Sequence, residues 1–84
     1  YNLVINCDQY DKNNKSISNE YIFESLKKFF ENFNLVKYES NEKKATFIIK
    51  LFTDDIKKID EFKNKLQKEL NNLDLNYYYS NSVY

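Results

Sequence analysis

The chain has 84 residues, of which 13 are lysine and 13 are acidic, so its formal net charge is zero. This length allows one domain with a single two-layer core. Arginine, glycine, proline, histidine, methionine and tryptophan are all absent, which excludes glycine-rich phosphate loops, histidine bases and histidine metal sites. The balanced charge also removes any general attraction to nucleic acid or to an anionic membrane.

One cysteine and the first residue bear on the cellular context. A single Cys7 cannot form an internal disulfide, and an unpaired thiol fits a reducing compartment. The sequence has no run of about 18 apolar residues that could cross a bilayer. The unpaired thiol leads us to expect a cytoplasmic domain. Because the chain starts with Tyr1 and not with methionine, we expect this domain to be cut from a longer protein, and membrane attachment of that parent protein stays open.

The first part of the chain predicts a strand, a loop and a helix. Residues 1–8 alternate apolar and polar side chains as a half-buried strand does. A polar loop over residues 9–17, expected to be the most mobile segment, leads to a helix over residues 18–33 that is capped by Ser18. We expect Asn34 to end this helix in place of a glycine, because asparagine tolerates left-handed backbone.

The rest of the chain predicts a hairpin, a second helix and a last strand. Strands over residues 35–39 and 44–52 flank a polar turn of four residues. The second helix is expected to begin at a cap formed by Thr53 or Asp54 and to stop at a pair of asparagines. Residues 73–80 then alternate as a fourth strand.

This order of elements is βαββαβ, the order of the two-layer α/β plait called the ferredoxin-like fold, which belongs to the α+β class. We expect one antiparallel sheet with strand order 4-1-3-2 and both helices on one of its faces. The apolar stripe of each helix and one face of each strand supply the predicted core, namely Leu3, Ile5, Cys7, Ile22, Phe23, Leu26, Phe29, Phe30, Phe33, Val36, Tyr38, Phe47, Ile49, Leu51, Ile59, Phe62, Leu66, Leu70, Leu75 and Tyr77.

Acidic residues follow two strands, Asp8 after the first and Asp54 and Asp55 after the third. Paired carboxylates can hold magnesium for phosphoryl transfer, but antiparallel neighbours place these two strand ends about 20 Å or more apart. We interpret Asp54 and Asp55 as a helix N-terminus, and we expect no metal ion, no cofactor and no catalytic residue. Cys7 has no histidine partner and faces inward, so we interpret it as a core residue.

The sheet face turned away from the helices is the predicted interaction surface. Five apolar residues are expected on it, namely Val4, Leu35, Ile48, Phe52 and Tyr78. Together they make more apolar surface than scattered exposed residues do, which is typical of a partner surface. We expect this surface to support self-association as a homodimer or contact with another domain of the parent protein.

An RNA-binding plait is the main alternative, because RNA-recognition domains stack bases on aromatic residues of their two central strands. The corresponding outward positions of this chain are polar or aliphatic, namely Asn2, Val4, Asn6, Thr46, Ile48 and Lys50. Lys37 and Lys50 add only a slight basic patch, so binding to nucleic acid is not favoured. A small metal-dependent nuclease of the same fold is favoured less, since arginine and histidine are absent.

Five segments, spread over nearly the whole chain, carry a resemblance to a known family: YNLVIN, SLKKFFENF, NLVKYES, KKATFIIKLF and IDEFKNKLQKELNNL. In this order they resemble ACT-like regulatory domains, and in particular the cytosolic domain that follows the transmembrane helices of MgtC/SapB-type bacterial membrane proteins. The resemblance implies a non-catalytic regulatory or oligomerisation domain of a larger protein. Amino-acid-binding ACT domains usually carry a glycine after the first strand, where this chain reads CDQYDKNNKS, so the resemblance implies no amino-acid ligand and no site residue.

Overall fold

The structure is a computed structural model, and it describes residues 1–53 and 55–79. Within that part of the chain, the elements follow the predicted order. Their bounds are β1 Asn2–Asp8, α1 Asn19–Lys27, β2 Phe33–Ser40, β3 Lys44–Leu51, α2 Ile56–Glu69 and β4 Asp74–Tyr78. The chain is therefore a small α+β protein whose architecture is compatible with a ferredoxin-like plait. Neither of the two described helices is long and apolar enough to cross a membrane.

The four strands form one antiparallel sheet with the order β2-β3-β1-β4. This is the predicted order 4-1-3-2 counted from the opposite edge of the sheet, so each strand has the predicted neighbours. Strand β1 is paired on both sides: Leu3 lies opposite Ile49 of β3 and opposite Tyr77 of β4. The alternation of apolar side chains along β1 and β3 therefore puts one apolar face on the centre of the sheet.

A single hydrophobic cluster lies between this apolar face and the helices. Its buried members are Leu3, Ile5, Cys7, Ile17, Ile22, Leu26, Phe30, Ala45, Phe47, Ile49, Leu51, Ile59, Phe62, Leu66, Leu70 and Leu75. Because the inward residues of both helices and of the sheet share one cluster, α1 and α2 cover the same face of the sheet, as predicted. Five further residues of the predicted core are only partly buried against the cluster, namely Phe23, Phe29, Phe33, Tyr38 and Tyr77.

Helix α1 ends at Lys27, earlier than its apolar stripe predicts. Phe29 and Phe30 lie in the turn that follows, and their ring centroids are 5.7 and 5.8 Å from that of Phe62 in α2. The chain then enters β2, so Asn34 is a strand residue and the prediction that it ends the helix was wrong. Packing of aromatic rings between two elements outweighs the weak preference of the same residues for helix.

Both helices begin at a capping side chain. The hydroxyl of Ser18 accepts a hydrogen bond from a backbone N–H of the first turn of α1 at 3.3 Å, which confirms the predicted cap. The cap of α2 is Asp55, whose carboxylate accepts from the backbone N–H of Lys57 at 3.1 Å. Thr53 is not the cap, because its hydroxyl accepts from the backbone N–H of Asp55; Asp54, the other predicted cap, lies outside the described residues.

Strand β2 contains a bulge that sequence periodicity did not predict. Leu35 is paired with Ile49 and Lys37 with Ile48, which leaves Val36 as an extra residue between them. The regular alternation had placed Leu35 outward and Val36 in the core, and both placements were wrong. Leu35 packs against the hydrophobic cluster, and Val36 is half-buried outside it. A bulge adds one residue to one strand, so the residues on one side of it change face.

The loop between β1 and α1 is tied down by hydrogen bonds, although its polar composition predicted the most mobile segment. Asp11 is buried, and its carboxylate accepts from the backbone N–H groups of Asn13 and Lys15, both at 2.9 Å. The backbone N–H of Lys12 donates to the carbonyl of Glu69 at 2.9 Å. The end of α2 therefore anchors this loop.

Two asparagines adopt the left-handed backbone that glycine usually supplies. Asn14, in the same loop, has a φ of 66°, and Asn72, directly after α2, has a φ of 52°. The predicted stop of the second helix at Asn71 and Asn72 is confirmed, because α2 ends just before them. In a chain without glycine, asparagine is the residue that best tolerates these turns.

Replacing Phe62 by alanine should lower the free energy of unfolding by about 3–5 kcal/mol. Phe62 is completely buried, and two aromatic rings pack against it. Phe52→Ala is a matched control, because Phe52 is 54% exposed and its loss should cost less than about 1 kcal/mol. Urea denaturation at low protein concentration, followed by circular dichroism, measures both values. Similar losses in the two variants would contradict the assignment of the core.

Candidate interaction surface

We call the face of the sheet that the helices leave uncovered the outer face. The register defines its residues strand by strand, as Asn34, Lys37 and Glu39 of β2, Lys44, Thr46, Ile48 and Lys50 of β3, Asn2, Val4, Asn6 and Asp8 of β1, and Asp74, Asn76 and Tyr78 of β4. They alternate with the core residues along each strand, since successive side chains of a strand point to opposite faces.

Two aliphatic residues lie side by side at the centre of the outer face. Val4 of β1 is directly opposite Ile48 of β3, and both are half-buried. They belong to the two central strands, so their backbone groups are paired on both sides and their positions are fixed by the ladder. The remaining exposed part of each side chain faces away from the helices, where a partner would meet it.

Polar side chains surround this aliphatic pair, and several of them bond to one another. The hydroxyl of Thr46 donates to the side-chain oxygen of Asn6 at 2.7 Å. Lys37 and Glu39 form an ion pair of 3.0 Å along β2. These contacts give the outer face a small apolar centre with a polar border, which is the layout of a protein interface on a reduced scale.

The other three residues predicted for this surface lie in different places. Tyr78, on the edge strand β4, is level with Asn2 and belongs to the outer face. Phe52 follows the end of β3 and is 54% exposed, and the ammonium of Lys50 lies 5.4 Å from the centre of its ring. Leu35 is on the opposite face because of the bulge, so its placement on the interaction surface was wrong.

The outward positions of the two central strands carry no aromatic ring, as the register of the described residues shows. The aromatic residues of the sheet lie elsewhere. Tyr77 faces the core side and meets the ring of Tyr1 edge-on at 6.0 Å, and Tyr79, just past β4, meets the same ring at 5.7 Å. These rings pack at one end of the sheet edge and do not form a flat platform on the outer face.

The acidic residues near the strand ends are separated by the length of a strand. Asp8 lies opposite Lys44 at the start of β3, whereas Asp55 follows the other end of that strand. Within residues 1–53 and 55–79, no three histidine, cysteine, aspartate or glutamate side chains come close enough to hold a metal ion. Asp55 caps α2, which agrees with its interpretation as a helix N-terminal residue.

Asp8 forms a structural link at the end of β1. Its carboxylate accepts from the ammonium of Lys44 and from the side-chain amide of Asn72, each at 2.8 Å. These two hydrogen bonds, that from Lys44 foremost, hold the pKa of the Asp8 carboxyl below its ordinary value. The link joins the first strand, the third strand and the turn after α2.

Cys7 is a core residue in the structure. Its side chain is 1% exposed, and burial, together with the nearby charge of Asp8, raises the pKa of its thiol to about 11. A nucleophilic cysteine needs the opposite shift, because the thiolate is the reactive form.

A polar network that the sequence did not reveal joins the two helices. The hydroxyl of Tyr21 in α1 donates to the carboxylate of Glu69 in α2 at 3.0 Å, and the ammonium of Lys65 lies 3.1 Å from the same carboxylate. Burial, and then the hydrogen bond to Glu69, raises the pKa of the Tyr21 phenol. The only sequence signal for this network is the spacing of Lys65 and Glu69, four residues apart on one helix.

The network also brings a serine and a lysine together, a pair that can catalyse acyl transfer in some enzymes. The ammonium of Lys65 is 3.5 Å from the hydroxyl of Ser25, which is buried. Lys65 forms an ion pair with Glu69 as a charged ammonium, whereas a lysine must be uncharged to act as a base. The arrangement therefore serves to hold the helices together.

The chain matches no family model, no curated protein and no solved structure.

Replacing Asp8 by asparagine should lower the melting temperature at pH 7, and this difference should shrink as the pH falls toward 2. The folded state holds the pKa of Asp8 below the ordinary value of 3.8, so its contribution to stability is complete above that pH and is lost as the pH falls through the lowered pKa. Thermal melts of the two proteins between pH 2 and pH 7 measure the difference. A difference that stays constant over this range would contradict the role of the Asp8 charge.

Proposed function

We propose that this chain is a non-catalytic protein-interaction domain, with a regulatory or oligomerising role in a larger protein, and that its outer face is the contact surface. The observation that carries the proposal is the half-buried pair of Val4 and Ile48 at the centre of a face that neither of the described helices covers. The helices already complete the core on the other side. Apolar surface at this place therefore gains free energy only when a partner removes it from water.

The resemblance to the ACT-like domains of MgtC/SapB-type membrane proteins supports the same proposal. Those domains are cytosolic parts of larger proteins, and this chain has the same order of elements. We extend the proposal accordingly to a cytosolic domain of ACT-like type. Its sheet would act by contact with another polypeptide and not by chemistry on a substrate.

Binding to RNA has less support from the outer face. The central strands carry no aromatic ring there, and Glu39 and Asp74 put negative charge on the same surface. Phosphate groups bind where cationic side chains dominate, and aromatic stacking supplies much of the energy for single strands. The nuclease alternative has less support still, because Asp8 is already engaged by Lys44 and Asn72.

Replacing Ile48 by lysine should weaken self-association of the chain without unfolding it. The substitution puts a charge in the middle of the contact surface, where a partner would desolvate it without an opposite charge. Ile56→Lys is the matched control, because Ile56 is an isoleucine of the helix layer and is 42% exposed. Sedimentation velocity over a range of concentrations measures association, and circular dichroism checks the fold.

Val4→Thr is a second variant that keeps the branched shape of the side chain and replaces one methyl group by a hydroxyl group. It should also weaken association, but less strongly than Ile48→Lys. A parent chain that stays monomeric would contradict self-association, and an Ile48→Lys variant that associates as well as the parent would contradict the proposed contact surface. Tight, salt-sensitive binding of the parent to single-stranded RNA would favour the RNA-binding alternative.

A further inference from the structure

The charged residues of the outer face divide into those with an ion-pair partner and those without one. Lys37 pairs with Glu39 at 3.0 Å, and Lys44 pairs with Asp8 at 2.8 Å. Lys50 and Asp74 are the two remaining charges of this face, and neither has an ion-pair partner among the described residues.

The positions of these two charges are related by the strand register. Val4 lies opposite Ile48 of the neighbouring strand β3. Lys50 is on the same strand β3, two residues beyond Ile48 and level with Asn2. Asp74 is on β4, the neighbour of β1 on its other side, and it is level with Asn6. Asn2 and Asn6 are each two residues from Val4, in opposite directions along β1. Val4 is therefore the midpoint between Lys50 and Asp74 on the outer face.

A twofold axis that lies in the plane of a surface exchanges any two points that lie at equal distances on opposite sides of it. An axis that passes through Val4 in the plane of the face, at right angles to the line from Lys50 to Asp74, superposes each of these charges on the other. Resting on the proposed function, we propose that the partner of the outer face is a second copy of this chain, docked about this axis. Lys50 of each copy then meets Asp74 of the other.

The docking follows the shape as well as the charge of the face. Val4 lies on the axis and meets its own copy, and Ile48, beside it on β3, lies about 3 Å from the axis. The two aliphatic pairs therefore meet at the centre, with one salt bridge on either side of them. With strands about 4.8 Å apart and a rise of about 3.4 Å per residue, the strands of the two sheets cross at roughly 70°. This angle is nearer to the orthogonal than to the aligned class of sheet-on-sheet packing.

The size of the face limits the strength of this dimer. A sheet of four strands, the longest of eight residues, presents a flat area of about 500 Å² at the usual strand dimensions. Two copies would bury at most about 1,000 Å² in total, which is typical of weak and transient complexes. The two salt bridges consequently decide whether the copies associate and in which orientation, as charge pairs commonly do at weak interfaces.

One further contact is specific to this orientation. Glu39 lies on the same axis at the β2 edge, so the two copies bring their Glu39 side chains together, where the ion pair with Lys37 compensates each charge only in part. Glu39→Gln should therefore strengthen association by about two- to fivefold. An interface that does not bring the two Glu39 side chains together would not be strengthened by Glu39→Gln.

Charge reversal tests the proposed orientation directly. Lys50→Glu and Asp74→Lys, each alone, should weaken the dimer by about tenfold or more, because each places like charges opposite one another, and the two together should restore it to within about threefold of the parent. Lys57→Glu is the control, since it makes the same change of charge at an exposed position of α2. Sedimentation velocity at concentrations up to about 1 mM and at low salt measures all five proteins.

The outcomes separate this inference from the proposed function. If Ile48→Lys abolishes association while the single reversals have no effect, or if the double reversal fails to restore it, the contact surface stands and the orientation is wrong. If the parent is monomeric at the highest concentration, the twofold dimer is overturned, whereas contact of the outer face with a different polypeptide is not. Recovery in the double reversal, with no effect of Lys57→Glu, supports the twofold arrangement through Val4.

Discussion

Strand β1 is hydrogen-bonded on both sides, and this double pairing determines the arrangement of the whole molecule. With β3 on one side and β4 on the other, its register sets the level of every residue in the centre of the sheet. A shift of one residue would move Leu3, Ile5 and Cys7 from the core to the outer face. The burial of these three side chains, each at most 1% exposed, makes such a shift prohibitively costly.

The same constraint produces the outer face as a by-product of the core. Once the inward residues are fixed, the residues between them must point outward, whatever their polarity. Most are polar and bond to one another, as Thr46 and Asn6 do. Val4 and Ile48 are the exceptions at the centre, and aliphatic side chains at such a place are costly in water unless a partner covers them. The function that we propose follows from this imbalance, since the fold itself does not require these two residues to be apolar.

The parts of the fold that could be predicted from the sequence are those that follow a regular period. β1 and β3 alternate without interruption, so their faces, and with them the positions of Val4 and Ile48, could be assigned correctly. Leu35 could not, because the two residues at the bulge, Leu35 and Val36, are both apolar and the sequence does not show which of them faces the core. The end of α1 was missed for a related reason: Phe29 and Phe30 continue the helical stripe, but their rings pack against Phe62 from a turn. The relation between Lys50 and Asp74 depends on the register of three strands at once, which sequence periodicity does not fix.

The pairing of β1 with β4 has a consequence for how the chain acquires its structure. Asn2 lies opposite Tyr78, so the first strand finds one of its two neighbours only after residues 74–78 have been synthesised. Until residues 74–78 leave the ribosome, the side of β1 that will bind β4 presents unpaired N–H and C=O groups next to Leu3 and Ile5. Contacts between such distant parts of a chain form slowly, and an open strand edge in the meantime invites pairing with other chains. During synthesis, a central strand of the finished sheet is thus for a time an edge strand, and shielding of that edge before β4 arrives would protect nascent chains from pairing with one another.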